Sequence, residues 1–169
     1  LWATNSIFAD NTSSTEGGAV FNNTGSARLS GDTFEGNAAG ASGGAIFNAD
    51  GVMAVDNSTF TSNSVNATVT TADGGAIFAD GETELTADLF SGNSTTTTDA
   101  SAGANGGAVY NNFGLNSING TTFTGNSTTS TTSTAGLGGA LFDGAAVTIT
   151  GSTFQNNTAT NGDGGALYE

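Results

Sequence analysis

Apolar residues along this chain recur in two fixed words set between polar, glycine-rich segments. The first word, Gly-Gly-Ala-aliphatic-aromatic, begins at Gly17, Gly43, Gly74, Gly106, Gly138 and Gly164. The second, Phe-x-x-Asn, falls between these copies at Phe8/Asn11, Phe34/Asn37, Phe60/Asn63, Phe90/Asn93, Phe123/Asn126 and Phe154/Asn157. Counting back from each Phe, the fifth residue is Ala3, Leu29, Val55, Leu85, Ile118 and Ile149. The seventh is Leu1, Ala27, Met53, Thr83, Asn116 and Val147, with mostly small or polar residues between. Alternation of this kind predicts a strand with one buried face. The Gly-Gly-Ala word predicts a second short strand and the segment around Phe-x-x-Asn a third. No helical period is present.

The spacing between words turns three strands into a fold. From each Gly-Gly to the next Phe the interval is 17, 17, 16, 17 and 16 residues, whereas from Phe to the next Gly-Gly it is 9, 9, 14, 16, 15 and 10. One arc is held to length because an added residue would flip the register of every side chain in it. The other takes insertions, as an outward corner does. The expected architecture is all-β: a parallel β-helix of about six rungs with three short strands per rung, occupying residues 1–169 as a single domain. Rungs at about 4.8 Å make six of them roughly 29 Å long. The six Phe residues then form an aromatic stack inside the coil. The six Asn residues form an amide ladder at a corner that tolerates left-handed backbone. Within the Gly-Gly-Ala strand, either Ala or the aliphatic residue can point inward; Tyr110 and Tyr168 at the aromatic position argue that this ring reaches water.

Composition then removes most alternatives. Ser, Thr and Asn together number 65 of 169 residues, yet charge is sparse and the aromatics fall in register, so a thin solenoid core suffices where a globular one would fail. A net charge of −14, with Arg28 as the one base, argues against nucleic acid and against anionic membrane. No spanning helix, lipidation motif or signal peptide is recognisable, and membrane insertion of this segment is not expected. The absence of Cys, His and Lys removes disulfides, Ser-His-Asp and Cys-His arrangements, the usual zinc ligands and a phosphate-gripping glycine loop. The Gly-Gly pairs are therefore backbone features, allowing tight corners or close approach of rungs.

Carboxylates are the remaining chemical resource. Asp50, Asp80, Glu82, Glu84 and Asp143 fall near the turn after the Gly-Gly-Ala strand and line one edge. A solvated edge, a weak calcium site, and a carbohydrate-cleaving carboxylate pair are the three readings open to them. No other cofactor is implied. Eight Asn-x-Ser/Thr sequons occur, at Asn11, Asn22, Asn57, Asn66, Asn93, Asn119, Asn126 and Asn156, a small excess over the roughly five expected by chance from this composition. Three long insertions, 64–73, 94–105 and 127–137, come from consecutive rungs and bulge side by side. They form either a recognition surface or a solvated, O-glycosylated fringe. Regular Thr-x-Thr columns on one strand are not evident, which disfavours an ice-binding array.

Gly-Gly-Ala-aliphatic paired with Phe-x-x-Asn resembles the repeat signature of the chlamydial polymorphic outer-membrane proteins and related bacterial adhesins. The resemblance covers essentially the whole chain. It implies a right-handed β-helix passenger exported by an autotransporter barrel and used in adhesion, with the two words, for example Gly43 to Ile46 with Phe60 and Asn63, as its functional residues. No cysteine and no translocator accompany the repeats here.

The two ends align on either side of one corner: Leu167, Tyr168 and Glu169 match Val20 to Asn22, and Leu1, Trp2 and Ala3 match Ala27 to Leu29. Only 23–26 lack a counterpart, so two copies stacked head to tail would complete a rung. A segment of a longer array is the alternative. The expected function is an extracellular or cell-surface structural and adhesive solenoid, not an enzyme, whose partners are itself and a host or glycan receptor. The rivals are a carbohydrate-active or carbohydrate-binding β-helix and, behind them, an ice-binding module.

Overall fold

The computed structural model describes residues 1–99, 101–131 and 136–169. Among the described residues all the regular structure is strand, in parallel sheets stacked as a β-solenoid, and four of the sheets are six strands deep. In the third rung the chain runs through Val52–Asp56, Thr59–Thr61, Ser64–Ala67, Ala72–Asp73 and Ile77–Ala79. The first of these segments lies in the lead sheet, the second in the Phe sheet, the third in the Ser/Thr sheet and the last in the Gly-Gly-Ala sheet. Ala72–Asp73 belongs to a fifth, three-stranded sheet formed only where the insertions are long.

Three strands per rung thus become four, because the segment around Phe-x-x-Asn divides. The residue before each Asn takes positive φ: Asp10, Gly36, Ser62, Gly92, Gly125 and Asn156, at 55–64°. A left-handed residue turns the chain sharply, and the strand that follows starts a new sheet. The left-handed corner residue is the Asn's predecessor, and the Asn itself supplies the side chain that holds the corner.

Register runs straight up the axis. Phe8, Phe34, Phe60, Phe90, Phe123 and Phe154 pair in sequence. Their rings stack at 4.6–4.9 Å with planes within 6°. The middle four are fully buried. They pack with Leu29, Val55, Leu85 and Ile118 of the lead sheet in the main core. One inner position departs from the two-residue count. The register of the fifth lead strand shifts between Thr83/Leu115 and Glu84/Ser117. This bulge puts Leu115 in the core, where the count placed Asn116, and leaves Asn116 exposed.

In the Gly-Gly-Ala strand both candidates are buried: Ala45, Ala76, Ala108 and Ala140 with Ile46, Ile77, Val109 and Leu141. Two consecutive residues face inward because both of their N–H groups donate to one carbonyl. The N–H groups of Ala45 and Ile46, for instance, both reach the Ala76 oxygen at 2.9 Å. This bulge recurs at each of the five junctions between stacked copies and turns the aromatic residue outward. The two glycines have different causes. Gly43 has φ of 62°, whereas a Cβ on Gly44 would lie 2.0 Å from the Gly75 carbonyl oxygen of the next rung. The first glycine is required by the dihedral and the second by close approach.

Candidate functional site

Three kinds of surface and corner carry side-chain chemistry. The first is a set of polar ladders that hold the corners. In the Asn column, the Asn63 Oδ1 accepts from the Asn37 backbone N–H at 3.0 Å and from its Nδ2 at 2.9 Å. The Asn63 Nδ2 donates in turn to the Asn93 Oδ1 and to the Phe34 carbonyl, each at 3.0 Å. The same pattern joins Asn11, Asn37, Asn93, Asn126 and Asn157. Buried amides with every donor used are stable where a single unpaired one would be costly.

A second ladder escaped the sequence reading. Two residues before each Phe stand Ser6, Asp32, Ser58, Asp88, Thr121 and Ser152. The Ser6 and Ser58 N–H groups donate to Asp32 and Asp88 at 2.7 and 2.8 Å. The backbone N–H groups of Asp32, Asp88 and Thr121 donate to the hydroxyls of Ser58, Thr121 and Ser152. The signal was there: only short hydroxyl or carboxylate side chains occupy this place, the types that bond to nearby backbone at turns. Burial pushes the Asp88 carboxyl up to about 7, against the lowering effect of hydrogen bonds from the Ser58 and Thr86 backbone and with a small upward push from Asp56. Burial likewise raises Asp73 to about 6, opposed by the hydrogen bonds of Asn105 and Thr71.

The insertions form the second feature. They are ordered strands rather than a loose fringe: Ser64–Ala67, Ser94–Thr97 and Ser127–Ser130 pair in register, and so do Ala72–Asp73, Ala104–Asn105 and Gly136–Leu137. Between the two sheets lies a small second core of Ala39, Val65, Ala67, Ala72 and Ala104. Residues 100 and 132–135 of these insertions lie outside the described residues. The pairing also produces the hydroxyl columns that were not evident along the chain. On the outer face of the Ser/Thr sheet, Ser64, Ser94, Ser127 and Thr158 form one column, and Asn66, Thr96, Thr129 and Thr160 form the next. In a chain of net charge −14, this face carries no charge.

The third feature is an outer aromatic ridge on the Gly-Gly-Ala sheet. Phe21, Phe47, Phe78, Tyr110, Phe142 and Tyr168 stack at 4.6–5.4 Å, all at least partly exposed. The carboxylates singled out from the sequence do not converge. Asp50, Glu82 and Glu84 are exposed. Asp80 accepts from Asn112 at 3.0 Å, and Asp143 is buried with Asn111 donating to it at 2.5 Å. Glu84 lies on the lead sheet, in register with Ala54 and Ser117, away from the corner that holds Asp80. Among the described residues no group of three His, Cys, Asp or Glu side chains is arranged to hold a metal ion, and no enclosed pocket forms.

Of the sequons, Asn93 and Asn126 are fully buried in the ladder and Asn22 is buried, its Nδ2 donating to Asn48; Asn11, Asn57, Asn66, Asn119 and Asn156 are exposed. At the N-terminal end, Leu1 and Trp2 are exposed and Ala3 sits over Leu29. At the other end Leu167 and Tyr168 pair with Leu141 and Phe142, and Glu169 is exposed.

No curated protein and no solved structure matches the chain. The model of the Chlamydia polymorphic membrane protein (Chlamydia_PMP) repeat matches residues 5–23, 33–49, 57–80 and 151–168. Each matched stretch holds one Phe-x-x-Asn word and the Gly-Gly-Ala word that follows it. The two unmatched copies are those with the longest intervals between the words, yet they stack in the same register as the rest. The chain is therefore a β-solenoid, four rungs of which match the repeat of the Chlamydia polymorphic membrane protein.

Proposed function

We propose that this solenoid is the surface-exposed, non-catalytic passenger region of a microbial outer-membrane or cell-surface protein, and that it acts in adhesion. The likeness to a family of outer-membrane repeats supports the location. The observation that carries the adhesive reading is the ordered lobe: three consecutive rungs spend their extra residues on stacked strands with a flat, uncharged Ser/Thr face. A core-building role needs no such face, and insertions on one side of a repeat array are where recognition surfaces are built. The receptor class proposed is a neutral glycan or glycosylated host surface, met by hydroxyl and amide groups.

The test compares beads coated with the 1–169 polypeptide against beads coated with a variant whose three insertions are cut to the nine-residue interval of the second rung. Binding to glycan arrays and to epithelial cells is expected for the first and lost for the second, with the strand circular dichroism unchanged. Equal binding by the shortened variant would overturn the reading.

A second element of the proposal is self-association. Phe8 and Phe154 each have a ring partner on one side only, and the end strands of all four deep sheets have one neighbour each. Where such edges are free they take another rung readily, and the occupant proposed is a second copy of this coil. Sedimentation velocity should show species growing with concentration; a single species from micromolar to millimolar would remove this part.

A further inference from the structure

We propose that the outer aromatic ridge of the Gly-Gly-Ala sheet is a second docking surface, distinct from the hydroxyl face, and that its occupant is an extended polypeptide segment rich in Lys and Arg. The ridge is an unusual use of aromatic residues. The inner Phe column accounts for the aromatic part of the core, whereas these six rings lie outside it, Phe21 being 50% exposed. Because neighbouring rings stack with planes within 16° of parallel, the four inner rings, Phe47, Phe78, Tyr110 and Phe142, have both faces covered and only their edges meet solvent. A sugar ring stacks on an aromatic face, so this ridge is no carbohydrate platform. What ring edges offer is a continuous apolar rib about 24 Å long, five rung spacings of about 4.8 Å.

Carboxylates run beside the rib on both sides. On the side entering the Gly-Gly pair, Glu16, Ser42, Asp73 and Asn105 are laterally paired in one column; Glu16 is partly exposed, Asp73 lies buried with Asn105 donating to it, and Asp163 is exposed just before the last Gly-Gly pair. On the other side the exposed Asp50 and the partly exposed Asp80 follow the aromatic residue by three and two positions, whereas Asp143, one position after Phe142, is buried against Asn111. Tyr110 feels both rails: its hydroxyl is raised by burial first, then by Asp73 and by Asp80. The chain's one base, Arg28, stands on the lead sheet between Trp2 and Ala54 and leaves the rails uncompensated. An apolar rib between two anionic rails matches side chains with long aliphatic stems and cationic heads: the stems lie along the ring edges while the heads reach the carboxylates. Lys and Arg are the two residues with that build.

The experiment titrates the 1–169 polypeptide with three labelled twelve-residue peptides, one Lys/Arg-rich, one Glu-rich and one Gly/Ser-only, at fixed salt, reading fluorescence anisotropy. Saturable binding of the basic peptide alone is expected. Phe47→Thr with Phe78→Thr should weaken it about tenfold, as loss of central anchors does, and Asp50→Asn with Asp80→Asn should weaken it as well. Glu35→Gln with Asp56→Asn removes two charges from other sheets and should leave binding unchanged. Failure of the basic peptide to bind would overturn the proposal. So would equal weakening by the Glu35/Asp56 pair, which would mean general attraction to a polyanion. Should the double Thr variant unfold, photo-crosslinking of the basic peptide to the native chain decides: crosslinks on the strands carrying Phe47, Phe78 and Tyr110 support the proposal, and crosslinks confined to other sheets refute it.

Discussion

The column two residues before each Phe shows how little a corner asks of a residue and how much one choice changes. Ser58 and Ser152 donate their hydroxyls to the carbonyl two residues earlier, at 3.2 Å, whereas Asp32 and Asp88 accept from the N–H two residues earlier, at 3.1 and 3.0 Å. Both chemistries close the same corner, but the carboxylate must be buried to do so. For Asp88 the folded-state pKa of about 7 lies above the ordinary value of 3.8. The folded chain then holds a proton that the unfolded chain releases, so stability falls as pH rises from about 4 to about 7, and the full penalty applies above that. Asp73, raised to about 6, adds in the same direction over a lower window. The loss is of order a few kcal/mol. Denaturant midpoints should be higher at pH 5 than at pH 8, and Asp88→Ser, which installs the residue found elsewhere in this column, should flatten most of that slope. A midpoint that rises with pH, or an unchanged slope in Asp88→Ser, would contradict the assignment.

At the scale of the element, the fixed arc was legible along the chain and the variable one was not. The Phe and Asn columns and the inward positions of Leu29, Val55, Leu85 and Ile118 follow from period and register, because each rung repeats the same contacts. The bulge that swaps Asn116 for Leu115 did not, since one added residue leaves no mark in composition. Nor did the strands of the insertions: runs such as Thr95 to Thr98 read as polar loop until lateral pairing gives each residue a neighbour in the next rung. The candidate binding faces were hidden for the same reason, being properties of columns rather than of segments. Within the insertion lobe, Thr95 and Thr128 occupy the same inner column as Val65, and their buried hydroxyls have no hydrogen-bond partner. Thr95→Val should therefore raise stability by about 1 kcal/mol. The hydroxyl of Thr97, by contrast, donates to the Thr70 carbonyl and accepts from the Asp99 N–H, so Thr97→Val should lower stability. Paired urea titrations of the two variants read the contrast directly, and a gain in both or a loss in both would refute it.

Taken whole, the molecule sets a large net negative charge against a narrow core. Fourteen uncompensated charges repel one another through solvent with a screening length of about 10 Å at 0.1 M salt. Raising sodium chloride from 10 mM to 0.5 M should increase the melting temperature by several degrees. Most of that gain should arrive by about 0.15 M, where the screening length has already shrunk to about 8 Å. A melting temperature that is flat or falls with salt would mean the charges are too dispersed to matter.

The amide ladder also has a sense. Each Asn from Asn37 to Asn126 takes hydrogen bonds on its oxygen from the Asn nearer the N-terminus and gives its own to the one nearer the C-terminus, with Asn11 only giving and Asn157 only taking along the column. The coil is thus vectorial: whatever extends it past Asn157 must arrive acceptor first, and whatever extends it before Asn11 must arrive donor first. Like ends brought together would set oxygen against oxygen or N–H against N–H, so the ladder continues only through a rung that keeps its polarity.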